Sequence, residues 1–478
     1  MGHTDRLGSM GVAVDTTPAI RYASAAGQFS WALYEWARNP YVILITVYIW
    51  APYFASHVAS SPASGQALVS FAHTISGVTI AILSPILGAI GDAAGNRKRW
   101  ITGFTVVLAL GSWALWYAEP HADDFLMTVV FIAMIANAIA YEFTAVFHNS
   151  MLPFICPRTR LGGLSGLGLA LGNGGGLLLL VFSLWAFALP GLTHWGFLPD
   201  APLFGLSRDN HGPDRIVGPL VSIWLLVFTI PMLLLTPDVP SRGGGLLKAA
   251  RRGLNELSQT LRSLREYRNV AVYLLARTIF ADGKLGILIF SGVYAAGTFG
   301  WGGLSLTIYG ITLSVFAFFG GLIGGVIDDR FGSKRALQIA LGAILLSVGL
   351  SLTHSKELLF GLILFDPAVG HGLWPGVPFF STWPELAFMG SGIFTAMAIT
   401  SAYATARSLL VRLVPPEKTS QFFGLYALSG TATSFLAPSL IGIVTASTGN
   451  QRLGFSMALV LVAIGFVILF AVKAPKNN

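Results

Sequence analysis

The sequence predicts an all-α membrane protein of twelve transmembrane helices in two pseudo-symmetric six-helix halves. Three observations predict it. Of the 478 residues, 54% are hydrophobic and only 10% are charged, against about 25% charged in ordinary soluble domains. Apolar runs repeatedly reach the roughly 20 residues a helix needs to cross a hydrocarbon core. A short loop motif also recurs at about half the chain length, the mark of a duplicated architecture.

Taken in order, residues 1–28 are a mixed, polar tail without the basic start, apolar core and cleavage site of a signal peptide. The first half, 29–236, holds apolar spans at 29–56, 67–91, 100–117, 125–150, 162–190 and 217–236. A basic linker, 237–268, follows. The second half, 269–472, holds spans at 269–298, 302–327, 335–354, 385–407, 422–447 and 453–472, and residues 473–478 are a tail. The connections 191–216 and 355–384 are long and rich in Pro, Gly and aromatic residues, and are expected to fold over the outer mouth.

The formal charge of +8 raises the question of a nucleic-acid partner, and the placement of the cations answers it. Of 29 Lys and Arg residues, 22 fall in the tails and the connections after even-numbered spans. Four, Arg208, Arg215, Lys356 and Arg452, fall on the opposite side, and Arg38, Arg277 and Lys284 lie within spans. This asymmetry is the positive-inside pattern. It predicts both termini in the cytoplasm, an inner (plasma) membrane of a bacterial cell, and no nucleic-acid partner. The stretch 246–268 reads either as an amphipathic helix on the anionic inner leaflet or as a solvated linker. The single cysteine, Cys156, excludes an intrachain disulfide and a cysteine-based metal cluster.

The repeat pairs Gly88, Asp92, Gly95, Arg97 and Lys98 after the second span with Gly325, Asp329, Gly332, Lys334 and Arg335 after the eighth. These loops resemble the cytoplasmic G-x-x-x-D-R-x-G-R-R/K loop of the major facilitator superfamily. The first copy departs at Ala93 and Asn96, the second at Ser333. The resemblance implies the major facilitator fold and a charge lock between the halves, carried by Gly88, Asp92, Gly95 and Arg97 and by Asp329, Arg330, Gly332 and Lys334. Other segments resemble the vacuolar effluxer-like branch of that superfamily. They are Trp31 to Ala37, Phe147 to Pro153, Leu164 to Gly168, Arg407-Ser408-Leu409, Arg412-Leu413 with Pro415, and Phe422 to Gly430. That branch implies solute efflux, with amino acids as the substrate class, and helices 1, 4, 7 and 10 around a central cavity.

Ionisable residues inside spans cost several kcal/mol by insertion measures, so each is a functional candidate. At about 1.5 Å per residue, Glu35, Arg38, Glu142 and Arg277 fall in one layer, with Asp282 and Lys284 just past the midplane. Glu35 and Arg38, three apart on one face, can also neutralise each other. Arg38 or Arg277 can pair with Glu142. Asp282, beside Gly283, is the first candidate for proton coupling and Glu142 the second. Tyr34 and Tyr403 are candidate walls of the site. Glycines every fourth residue in spans 5 and 8 predict close approach of those two helices.

No H-E-x-x-H, G-x-S-x-G, G-x-G-x-x-G or Walker loop occurs. The sequence therefore predicts a non-enzyme without cofactor or metal, driven by an ion or substrate gradient. The expected function is secondary transport of a small, amino-acid-like solute by alternating access, coupled to protons, by a monomer in the lipid bilayer. Export of an amphiphile or lipid, and a non-transporting receptor or scaffold, are the alternatives.

Overall fold

The computed structural model of the chain describes residues 22–58, 62–120, 123–191, 196–240, 246–262, 266–301, 303–364, 380–431, 433 and 435–474. Most of the expected N-terminal tail, residues 475–478, much of the second long outer connection and parts of the linker lie outside the described residues.

Among the described residues, eleven helices are long and apolar enough to cross a membrane. Helix α1, Ala25–Val58, starts where the Ser24 side chain accepts the Gly27 N–H. Pro40 and Pro52 each remove an N–H donor from this helix, and wide π-type turns accompany them at Tyr41–Tyr48 and Phe54–Val58. The first half continues with α2 (Pro62–Ala94), α3 (Arg97–Ala114), α4 (Asp124–Ile155), α5 (Leu161–Ser183) and α6 (Val217–Leu235). The second half has α7 (Arg268–Phe299), α8 (Gly303–Phe331), α9 (Ser333–Ser351) and α10 (Trp383–Leu413), the last opened by a Thr382–Glu385 capping box.

The eleventh span is not the single helix expected at 422–447. It is broken into α11 (Thr419–Thr431) and α12 (Leu436–Thr448). Pro438 stands in the first turn of α12, where its missing N–H costs nothing. The neighbouring Ala437 N–H is taken by the side chain of Asp282 at 2.8 Å. The last helix, α13, is Gln451–Phe470.

The ends of the described chain share one side of the bundle. Ala23 donates its N–H to Ile155 O at the end of α4, and Lys473 bonds Asn269 at the start of α7. A linker helix, Leu246–Arg262, lies on this side against α2. A Cβ on Gly253 would sit 2.6 Å from Ala89 O. Ala249 and Leu257 are buried there, while Lys248, Arg251 and Arg252 are exposed. On the opposite side, Leu358–Leu359 and Ile363–Leu364 form a two-stranded antiparallel hairpin in the second long connection.

Two seams join the halves, α2 with α11 and α5 with α8. The α5–α8 approach expected from the glycines is present, but the row that makes it is Gly162, Gly166 and Ala170 against Gly321 and Gly325. A Cβ on Gly166 would lie 2.3 Å from Gly321 O, and one on Gly325 would lie 2.8 Å from Gly162 O. The Gly168, Gly172 and Gly176 row instead meets Glu35, Asn39 and Ile43 of α1, and Gly320 and Gly324 meet Met397 and Ser401 of α10.

Candidate functional site

The twin loop motifs fold into twin ties between the halves. Asp92, at the end of α2, accepts the Ser420 N–H at 3.0 Å and the Gln421 N–H at 2.7 Å. Both lie in the first turn of α11, where backbone N–H groups have no partner within the helix and the helix dipole is positive. Arg97 Nη2 donates to Asp92 at 2.6 Å, and its Nη1 reaches Ser150 O at 2.7 Å. Gly88 lets α11 approach, because a Cβ there would lie 2.3 Å from Ser420 O. Gly95 turns the chain out of α2 at φ +68°.

Asp329 does the same to the other half. Its two oxygens accept the Gly162 N–H at 2.8 Å and the Gly163 N–H at 2.7 Å, in the first turn of α5. Gly332 makes the following turn at φ +84°, and Lys334 Nζ donates to Phe470 O at 3.1 Å rather than to the aspartate. Arg330 is exposed and makes no ion pair among the described residues; the cation beside Asp329 is Arg412, at 3.4 Å. Arg412 also pairs at 2.9 Å with Asp328. That fully buried carboxylate, which the sequence reading missed, also accepts from Ser333 at 2.7 Å and from Ser408. The adjacent Asp-Asp-Arg triplet was the available signal.

A third tie lies deeper. Glu35 on α1 receives Arg38 Nε at 2.9 Å and, from the other half, Arg407 Nη1 at 2.8 Å. Arg407 also donates to Asn149 and Ser165, each at 2.8 Å. His148 is fully buried in this cluster. It stacks on Trp31 with ring centroids 4.2 Å apart and donates to Trp31 O. Arg38 takes Glu35, one turn away on its own helix, and Tyr141 O, so no Arg38–Glu142 ion pair forms. Tyr34 is buried within the first half, its hydroxyl 2.6 Å from Thr105 Oγ1.

Between this tie and the opposite side lies a cavity of about 190 Å³. Glu142 and Asn149 of α4, Arg277 of α7, Tyr403 of α10 and Tyr426 of α11 supply its polar lining, with Ala145, Val146, Ala281, Leu285 and Phe423 among the apolar walls. Arg277 is held by Tyr426 O and Ser429 Oγ, both at 2.6 Å, and stacks 3.3 Å from the Tyr426 ring centroid. Glu142 has no hydrogen-bond or ion-pair partner among the described residues. Glu35, Arg38, Tyr34, Asp282 and Lys284 are outside the lining. Asp282 faces the break in the eleventh span, with one oxygen on Ala437 N–H and Oδ1 buried without a partner. Lys284 is 1% exposed and places Nζ 3.5 Å from the Tyr403 ring centroid.

Two six-helix halves, ties repeated by pseudo-symmetry at one end and a polar cavity between α4, α7, α10 and α11 form a two-repeat carrier. Residues 57–162 and 157–478 match the family described as vacuole effluxer Atg22 like. The chain belongs to that Atg22-like family. It is 25% identical to the uncharacterized MFS-type transporter YxiO of Bacillus subtilis over 94% of this chain and 95% of that one. It is 22% identical to autophagy-related protein 22 of Kluyveromyces lactis, over 87% and 81% of the two. Among solved structures, the Atg22-like chain resembles the transporter FucP in its outward conformation, with TM-score 0.67, 14% identity, and 94% and 98% coverage. It also resembles the proton:xylose symporter XylE, with TM-score 0.66, 13% identity, and 94% and 96% coverage. The fold is that of the major facilitator superfamily, and the protein is an integral-membrane secondary transporter rather than an enzyme.

Proposed function

We propose that this Atg22-like transporter moves a small zwitterionic, amino-acid-like solute by alternating access coupled to protons. The observation supporting this is that an unpartnered Glu142 on the first half and Arg277 on the second line one cavity. The carboxylate suits an ammonium group and the guanidinium a carboxylate, through charge-assisted hydrogen bonds that draw the halves together. At about 190 Å³ the space is below the roughly 300–1,000 Å³ of drug-sized sites, which favours a small solute over an amphiphile. The 22-to-4 distribution of Lys and Arg supports cytoplasmic termini in a bacterial inner membrane, so that the three ties form the cytoplasmic gate. Opening it breaks the contacts of Asp92, Asp329 and Arg407 together.

In this reading Glu142 carries the coupling proton, exchanging it for the solute's ammonium group. Asp282, the other membrane carboxylate without a cationic partner, positions the broken helix α12 and is the second coupling candidate. The test is transport of labelled amino acids into proteoliposomes with and without an imposed pH gradient. Wild-type protein is expected to accumulate solute only with the gradient. Glu142→Gln should lose that accumulation, and Arg277→Gln should raise KM at least tenfold. Gradient-insensitive flux in the wild type would overturn coupling, and absence of amino-acid flux would overturn the substrate class.

A further inference from the structure

Behind the wall of the central cavity lies a basic side chain that a neutral amino acid does not need. Lys284 is 1% exposed on α7, with its ammonium over the Tyr403 ring at 3.5 Å and 5.3 Å from the Phe280 ring centroid. It has no carboxylate or other hydrogen-bond acceptor among the described residues. A buried ammonium held only by aromatic faces lacks the counter-ion that a desolvated charge requires. The nearest carboxylate along the chain, Asp282, is turned the other way, onto the Ala437 N–H of α12. Two residues along a helix separate side chains by about 200°, so the pair cannot close.

Lys284 is one ring away from the solute space. Tyr403, on which it rests, lines the cavity, as do Ala281 and Leu285 on either side of it in α7. Arg277 lies seven residues earlier, two turns along and on nearly the same face. In the helices around the cavity, four buried basic side chains (Arg38, Arg277, Lys284 and Arg407, the last on the structure's longer α10) stand against three carboxylates (Glu35, Glu142, Asp282). Arg38 and Arg407 are both committed to Glu35, and Arg277 faces the cavity with Glu142. Lys284 is left over.

We infer that Lys284 is a second anion-binding group of the cavity, and that the solute is an amino acid carrying an additional acidic group. Such an aminodicarboxylate presents its ammonium to Glu142, one carboxylate to Arg277 and the other to Lys284, which the Tyr403 ring uncovers by rotating. The inference rests on the amino-acid reading proposed above and narrows it.

Counterflow in proteoliposomes tests it, with L-aspartate, L-glutamate, L-alanine and L-leucine as labelled solutes. The wild type is expected to exchange aspartate or glutamate at least tenfold faster than alanine or leucine. Lys284→Met should collapse that ratio toward one, and Lys284→Arg should keep most of it. Wild-type preference for the neutral amino acids, or an unchanged ratio in Lys284→Met, would overturn this inference while leaving the amino-acid reading intact. Absence of exchange with all four would overturn both. The wild-type ratio alone decides the matter if Lys284→Met cannot be purified as a monodisperse protein, as judged by size exclusion.

Discussion

Asp92 and Asp329 stand 237 residues apart in equivalent loops, and each grips the first turn of a helix in the opposite half through two backbone N–H groups. Their surroundings differ. Asp92 and its partner Arg97 are both 2% exposed at the side chain, and they touch at 2.6 Å. Asp329 is 25% exposed, and its partner Arg412 stands off at 3.4 Å and is shared with Asp328. Duplication preserved the contact with the helix end, while the charge balance was rebuilt separately on each side. The Asp92 tie therefore has a large penalty for losing one partner, and the Asp329 tie is open to solvent and cheap to undo.

The largest effect expected from this difference is in Asp92→Asn. Breaking a buried pair by removing one partner costs about 3–5 kcal/mol, so the melting temperature should fall clearly and a cysteine at Gln421, in a Cys156→Ser background, should become reactive to a membrane-impermeant thiol reagent. An unchanged melting temperature would mean that the Ser150 carbonyl and the Phe154 ring hold the Arg97 cation without Asp92. Next come the glycines under each tie. Gly88→Ala and Gly166→Ala each drive a Cβ to 2.3 Å from a facing carbonyl oxygen, and overpacking of this kind costs about 1–3 kcal/mol. The two variants should lower the melting temperature equally, since the seams are alike in packing although unlike in charge. A clear inequality would show that one seam has more room to yield.

A smaller change is expected in Asp329→Asn, about 1 kcal/mol, because Arg412 keeps Asp328. Its signature is a modest rise in the reactivity of a cysteine near Arg335, with little change in melting temperature. A loss as large as that of Asp92→Asn would erase the distinction between the ties. The smallest effect is that of salt. Exposed pairs are screened over about 8–10 Å at 0.1–0.15 M, so raising ionic strength should increase reactivity on the Asp329 side by less than twofold and leave the Asp92 side unchanged.

Much of this arrangement is legible in the sequence. Span length, the segregation of Lys and Arg and the paired loops lead to a twelve-span, two-half bundle, and Gly88, Asp92, Asp329 and Gly332 fall where the repeat places them. The partners are not legible, because they are set by which helices meet. Glu35 and Arg407 are 372 positions apart, and the motif alone points to Arg330 where the structure puts Arg412. The break in the eleventh span was hidden for a related reason. Residues 422–447 carry no charge and read as one uncharged span, and the group that satisfies the new helix start, Asp282, comes from another helix. The local signs were Pro438 and the small polar run from Ser429 to Ser434. Glu142, Arg277 and Tyr403 line the cavity, whereas Asp282 and Lys284, of similar depth, lie to either side of α7. Depth follows from counting residues; direction requires the packed neighbours.

The seam of Gly162, Gly166, Gly321 and Gly325 has a further consequence for how the halves move. Helices packed through large side chains mesh like cogs, and turning one against the other forces each tooth to leave its hole. Here, around Gly166, Gly321 and Gly325, backbone lies on backbone, so this stretch of the seam is smooth and presents few teeth to a rolling motion of α5 along α8. The seam behaves as a bearing. A smooth stretch favours no one position strongly, which leaves the rim, where Asp329 catches the start of α5, to fix the resting one.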